Sequence, residues 1–72
     1  MPYASIEDLP QPVRARLPRH AQEIFLSAFN HAWLEYGDRG PTQREETAFR
    51  VAWAAVKRKY EKIGSRWIER DG

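Results

Sequence analysis

The segment "PRHAQEIFLSAFNHAWLEYG", residues 18–37, decides the fold more clearly than any other part of the sequence. Apolar and small residues recur in it at intervals of three and four, which is the period of one face of an α-helix. The predicted apolar face consists of Ala21, Ile24, Phe25, Ala28, Phe29, Ala32, Trp33 and Tyr36. Pro18 favours the first turn of this helix and Gly37 its C-terminal cap. Leu26 and Leu34 lie off the main stripe, and we expect them to pack under the N-terminal segment.

A second helix is predicted in "PTQREETAFRVAWAAVKRKY", residues 41–60. Thr42 followed by Glu45 matches the capping box that begins many helices, and Glu46 adds a favourable charge near the positive end of the helix dipole. The predicted apolar stripe consists of Phe49, Ala52, Trp53, Val56 and Tyr60, flanked by Ala48, Val51 and Ala55. The link "GDRGP", residues 37–41, is short, so we expect the two helices to be antiparallel.

The two ends of the chain are expected to cover this helical pair. Prolines at positions 2, 10, 12 and 18 predict an extended lead-in with short helical turns, one capped by Ser5 and another beginning at Pro12. After a break at Gly64, we expect Trp67 to dock on the core, and the extended tail suits a short strand pair with the N-terminal "PYA". The predicted fold is therefore mainly α, with one domain over residues 1–72 and a short terminal β pair.

Length and composition limit the classes of protein that this chain can represent. It has 72 residues and no cysteine, which excludes a disulfide framework and thiolate-based zinc or redox sites. No apolar run approaches the roughly 20 residues of a membrane-spanning helix, and "MPYASIEDLP" lacks the order of a secretory signal. We expect a soluble, cytoplasmic protein; its oligomeric state is left open.

Candidate catalytic and metal-binding residues are few. His20 and His31 are the only histidines. His31 and Glu35 are four apart on a predicted helix, but two ligands are fewer than the three that a catalytic zinc ordinarily takes. Glycine-rich phosphate loops and calcium-binding loops are absent from the sequence. We therefore expect no catalytic site, no bound metal and no cofactor, and the protein is not predicted to be an enzyme.

Positive charge is concentrated in the second half of the chain. Residues 1–40 contain four Arg against five acids, and residues 41–72 contain eight Lys or Arg against five acids. The candidate partner-binding residues are Arg44, Arg50, Lys57, Arg58 and Lys62. One interpretation is structural, because cations stabilise the C-terminal end of a helix. The other is a surface that binds an acidic protein or a phosphate backbone.

The segments "LPRHAQEIF", "AFNHAW" and "REETAFRVAWAAVKRKYEK" resemble the ChaB-like family of small bacterial proteins over nearly the whole chain. The resemblance implies a compact, mostly helical fold with a small strand pair. It also implies a regulatory role in cation transport, tied to a sodium or calcium/proton antiporter, without catalytic residues. The leading prediction is a non-enzymatic protein that docks on a cation/proton antiporter. The alternative is a nucleic-acid-binding module that uses the same basic residues.

Overall fold

The computed structural model describes residues 3–38 and 40–70. In chain order it contains a 3₁₀ turn (Ile6–Asp8), α1 (Gln11–Arg16), α2 (Arg19–Glu35), α3 (Pro41–Lys59), β1 (Tyr60–Ile63) and β2 (Arg66–Glu69). Helices account for most of these residues, and the two short strands form one antiparallel pair. The predicted fold class is confirmed.

The two long helices, α2 and α3, pack against each other in opposite directions. The ring centroids of Phe29 and Phe49 are 5.0 Å apart, and those of Phe25 and Trp53 are 5.2 Å apart. Each step back along α2 is thus matched by a step forward along α3. The antiparallel arrangement expected from the short link is confirmed.

The core lies along the seam between these helices. Alanines 21, 32, 48 and 52 are fully buried, and their small side chains let the two backbones approach closely. Phe25 and Phe29, also fully buried, fill the remaining space. Leu26 is partly buried against this core, but Leu34 is 75% exposed, so the packing expected for Leu34 is wrong. Leu34 follows Phe25 by nine residues, about two and a half helical turns, and therefore lies on the opposite side of α2.

Side chains of α2 hold the N-terminal segment in place by hydrogen bonds to the backbone of that segment. The backbone N–H of Tyr3 donates to Oδ1 of Asn30 at 2.9 Å, and Nδ2 of Asn30 donates to the carbonyl oxygen of Tyr3 at 2.8 Å. Gln22 Nε2 donates to the carbonyl oxygen of Leu17 at 2.8 Å. The Tyr3 ring lies 4.9 Å from that of Phe29. Buried Leu9, Val13 and Leu17 complete this side of the core.

Both long helices have one end that differs from the prediction. The N-cap of α3 is Gly40, no side chain caps the helix, and the capping box predicted for Thr42 is wrong. Pro41 explains the shift, because its fixed φ and missing N–H suit the first helical position and place Thr42 inside the helix. The C-cap of α2 is Tyr36, and not Gly37 as predicted. Arg39, within the link, lies outside the described residues.

A hairpin of β1 and β2 closes the chain. Its register pairs Tyr60 with Glu69 and Lys62 with Trp67, and Gly64 in the two-residue loop has φ +63°. A positive φ at the first loop position is typical of tight hairpins. The Trp67 ring lies 5.7 Å from that of Trp53, so the predicted docking is confirmed.

The predicted partner of this tail is wrong. The tail pairs with the segment just before it, whereas Tyr3 and Ala4 form no strand. Pro2, also part of "PYA", lies outside the described residues. A two-residue loop explains the outcome, because closing a short loop costs less chain entropy than joining the two ends of the chain.

We expect Phe25→Ala to lower the free energy of unfolding by about 3–5 kcal/mol, because the variant leaves a cavity in the seam. Urea unfolding followed by circular dichroism at 222 nm measures this change. Leu34→Ala is the control for the same helix, and its effect should stay within about 0.5 kcal/mol. Equal losses in both variants would contradict the assignment of the core.

We expect Gly64→Ala to destabilise the protein by about 1–2 kcal/mol, since an L-residue is strained at this positive φ. A Cβ added at Gly64 meets nothing within 4 Å, so a steric clash contributes nothing to the loss. Gly40→Ala is the comparison: its added Cβ is equally unobstructed and its φ is −60°, so its loss is limited to the poorer N-cap that Ala makes. Thermal melts of both variants test this difference, and equal melting temperatures would refute the strain argument.

Candidate functional site

Four of the five predicted partner-binding residues are exposed between the middle of α3 and β1. Arg50, Lys57 and Arg58 project from α3, and Lys62 lies on β1. Arg50 and Lys57 are seven residues apart, about two helical turns, so they share one side of α3. Arg58 lies beside them. We refer to Arg50, Lys57, Arg58 and Lys62 as the basic surface.

Helix electrostatics explain only part of the basic surface. Lys57 and Arg58 lie in the last turn of α3, where cations stabilise the helix dipole. Arg50 lies about two and a half turns before the end of α3, beyond the range of that effect, and Lys62 follows the helix altogether. Within residues 3–38 and 40–70, none of the four forms an ion pair or a side-chain hydrogen bond. Their charges are therefore available to an anionic partner.

Arg44, the fifth predicted residue, is in a different environment. Its Nε donates to the carbonyl oxygen of Trp33 at 2.7 Å, and its guanidinium carbon lies 4.2 Å from the centre of the Trp33 ring. This carbonyl group lies in the last turn of α2, where carbonyl oxygens have no N–H partner within the helix. Arg44 thus connects the end of α2 to the start of α3. The structure does not bring it together with the basic surface.

The two histidines are exposed on α2 and line a groove between α2 and α3. His31 Nε2 is 3.5 Å from Glu35 Oε2, and both side chains are exposed. His20 Nδ1 is 3.1 Å from the Tyr60 hydroxyl, which donates to it when the ring carries its proton on Nε2. Burial raises the pKa of Tyr60, and Glu69 and Glu23 raise it further, so the hydroxyl keeps its proton at neutral pH. No three His, Asp or Glu side chains of the described residues form a group that could hold a metal ion.

Two grooves lie along the helical pair. One, of about 560 Å³, has an apolar floor of Ile24, Ala28, Val51 and Ala55. The other, of about 490 Å³, lies beside the α2–α3 link and is lined by Trp33 and Phe49, among others. Neither contains a residue of the basic surface.

A further cleft was not predicted from the sequence. Arg16, Ser65 and Arg66 line it where α1 meets the hairpin, and its volume is about 340 Å³. The two arginines are far apart in the chain, and no local pattern indicates that they meet. Only the docking of the hairpin beside α1 brings them together.

None of the helices within residues 3–38 and 40–70 combines the length and the apolar character needed to cross a bilayer.

Comparisons with known proteins agree with this architecture. The model of the family ChaB matches residues 9–70. Proteins named "Putative cation transport regulator ChaB" from Escherichia coli (strain K12) and Shigella flexneri are 53% identical to this chain over 66 residues, covering 86% of this chain and 87% of theirs. A solved structure, "NMR solution structure of the putative cation transport regulator ChaB", superposes with a TM-score of 0.87 at 47% identity and covers 97% of this chain and 100% of its own. The family match, the sequence identity and the shared fold together establish that this chain belongs to the ChaB family.

Proposed function

We propose that this protein is a non-enzymatic regulator of cation transport that docks on the cytoplasmic side of a cation/proton antiporter through its basic surface. The name of the relatives supports the regulatory part, since proteins 53% identical to this chain are named as regulators of cation transport. The antiporter, the cytoplasmic location and the docking mode are parts of the proposal.

The observation that carries the proposal is the unpaired state of the basic surface. Arg50, Lys57, Arg58 and Lys62 are exposed and have no anionic partner within residues 3–38 and 40–70. Complementary charge at an interface speeds association and selects the partner, even where each pair adds little affinity. An acidic cytoplasmic segment of the transporter is the partner that this surface fits.

The surface is also positioned rigidly. Three of its residues stand on α3, which packs against α2 along its whole length, and Lys62 stands on a hairpin held by Trp67 against Trp53. Backbone held in such elements has little conformational freedom to lose on binding, so the cost of binding is limited to ordering the side chains. The fold thus fixes the points from which these cations project.

We expect the double variant Lys57→Glu, Arg58→Glu to lose regulation. In a strain that lacks the gene, it should fail to restore growth at inhibitory sodium or calcium concentrations, whereas the unchanged protein restores it. Co-purification of the antiporter from solubilised membranes should fall about tenfold or more, because like charges then face each other at the interface.

A matched control is Arg14→Glu, Arg19→Glu, which changes the net charge equally at exposed positions outside the basic surface. Circular dichroism must show that both double variants are folded, since acids in the last turn of α3 oppose its dipole. Normal growth and normal co-purification of the Lys57→Glu, Arg58→Glu variant would refute the docking proposal. So would an equal defect in the control.

The nucleic-acid alternative rests on the same cations. None of the nine aromatic side chains is exposed, and all of them lie in the described part of the chain, so stacking on bases has no evident platform. A nucleic-acid complex would depend on charge alone, which weakens steeply with salt.

We therefore expect no binding of labelled single- or double-stranded DNA at about 150 mM salt, because phosphate contacts alone are screened under these conditions. Fluorescence anisotropy at low and at physiological salt measures this. DNA binding that persists at the higher salt and disappears in the Lys57→Glu, Arg58→Glu variant would favour the nucleic-acid function over transporter docking.

A further inference from the structure

A cleft separate from the basic surface lies where the end of α1 meets the tip of the hairpin. Its lining includes Arg16, Leu17, Pro18, Ser65, Arg66 and Trp67. Arg16 is the last residue of α1, and Arg66 is the first residue of β2. Two arginines from distant parts of the chain thus line one cleft, and no acidic residue lines it.

The carboxylate of Glu7 lies near Arg14 and Arg19, the neighbours of Arg16 in the chain, and does not line this cleft. The carboxyl of Glu7 has its pKa lowered by hydrogen bonds from its own backbone N–H and from Ser5, and Arg19 and Arg14 lower it further. Those two arginines therefore have a counter-charge nearby. Within the described ranges 3–38 and 40–70, Arg16 and Arg66 form no ion pair and donate no hydrogen bond. Positive charge from two arginines along a cleft with no acid in its lining favours an anion there.

The chemistry of the lining favours phosphate. Guanidinium groups bind phosphate oxygens through paired, charge-assisted hydrogen bonds, and the Ser65 hydroxyl adds a neutral donor. Phosphate oxygens can satisfy donors that come from two directions, as they do here from α1 and β2.

The rest of the cleft suits an organic group. Leu17, Pro18 and Trp67 supply apolar surface beside the donors. Trp67 is half-buried and lies against Trp53, so its position is fixed before any ligand arrives. The volume of about 340 Å³ is at the lower end of the range for ligand pockets, roughly 300–1,000 Å³. A small molecule that joins a phosphate to a flat or apolar group matches both the hydrogen-bond donors and the apolar surface of the cleft.

We propose that this cleft binds a small soluble phosphomonoester, with the phosphate between Arg16 and Arg66 and the organic group against Trp67. The cleft shares no residue with the basic surface. The proposal therefore stands independently of docking on a transporter.

The test is an NMR titration of the ¹⁵N-labelled protein with adenosine monophosphate, inorganic phosphate and adenosine. We expect adenosine monophosphate to shift the amide signals of Ser65 and Arg66 and the indole signal of Trp67, with saturation at millimolar concentrations. Inorganic phosphate should shift the same amides with weaker affinity, because it lacks the organic group. Adenosine should bind far more weakly than its monophosphate.

Substitutions then assign the site. Arg16→Gln and Arg66→Gln should each weaken binding of adenosine monophosphate about tenfold, since each removes charge-assisted hydrogen bonds. Arg50→Gln is the matched control, an exposed arginine outside the cleft, and should leave the affinity unchanged. Arg16, Arg50 and Arg66 are all exposed, so these variants should keep the dispersed spectrum of the folded protein.

Three results would overturn the proposal. The first is the absence of saturable binding of adenosine monophosphate at millimolar concentrations. The second is equal affinity for adenosine and its monophosphate, which would show that the phosphate is not recognised. The third is an equal loss of affinity for adenosine monophosphate in Arg50→Gln and Arg16→Gln, which would show that only the net charge of the protein matters. None of these results bears on the growth and co-purification assays, because both arginines lie outside the basic surface.

Discussion

The close approach of α2 and α3 is the constraint on which the other elements depend. Fully buried alanines allow the two backbones to come near each other, and Phe25 and Phe29 fill the space that remains along the seam. In so small a chain, most helix stability comes from this packing and little from intrinsic propensity. The N-terminal segment adds Leu9, Val13 and Leu17 to the core that the seam creates. The hairpin docks on the same core through Trp67.

The parts of the fold that could be predicted are those with a regular local signal. A spacing of three and four identified both long helices and most of their buried residues, because burial along a helix follows its period. The short link indicated the antiparallel arrangement. The prediction was wrong for Thr42, where proline at the first helical position outweighed a capping-box pattern. It was also wrong for Leu34, which is apolar but lies on the solvent side of α2.

Features that depend on contacts between distant segments could not be predicted. The strand partner of the tail is one such feature, since an extended segment carries no sign of which strand it will pair with. Arg44 is another. It is indistinguishable from the other cations in the sequence, because its place over Trp33 exists only once α2 and α3 have packed. Arg16 and Arg66 meet only after the hairpin has docked. By contrast, the exposure of Arg50, Lys57, Arg58 and Lys62 follows from local position, and the structure places all four at the surface.

The placement of the tryptophans gives the protein built-in spectroscopic probes. Trp33 carries a guanidinium above its ring at the α2–α3 link, whereas Trp53 and Trp67 form a pair of indoles with centroids 5.7 Å apart. Indoles this close couple their electronic transitions, so seating of the hairpin contributes to the circular dichroism of the aromatic side chains. Trp33 adds an indole at the opposite end of the helical pair, and its emission overlaps that of the other two. The fold therefore carries intrinsic aromatic reporters at both ends without an attached label.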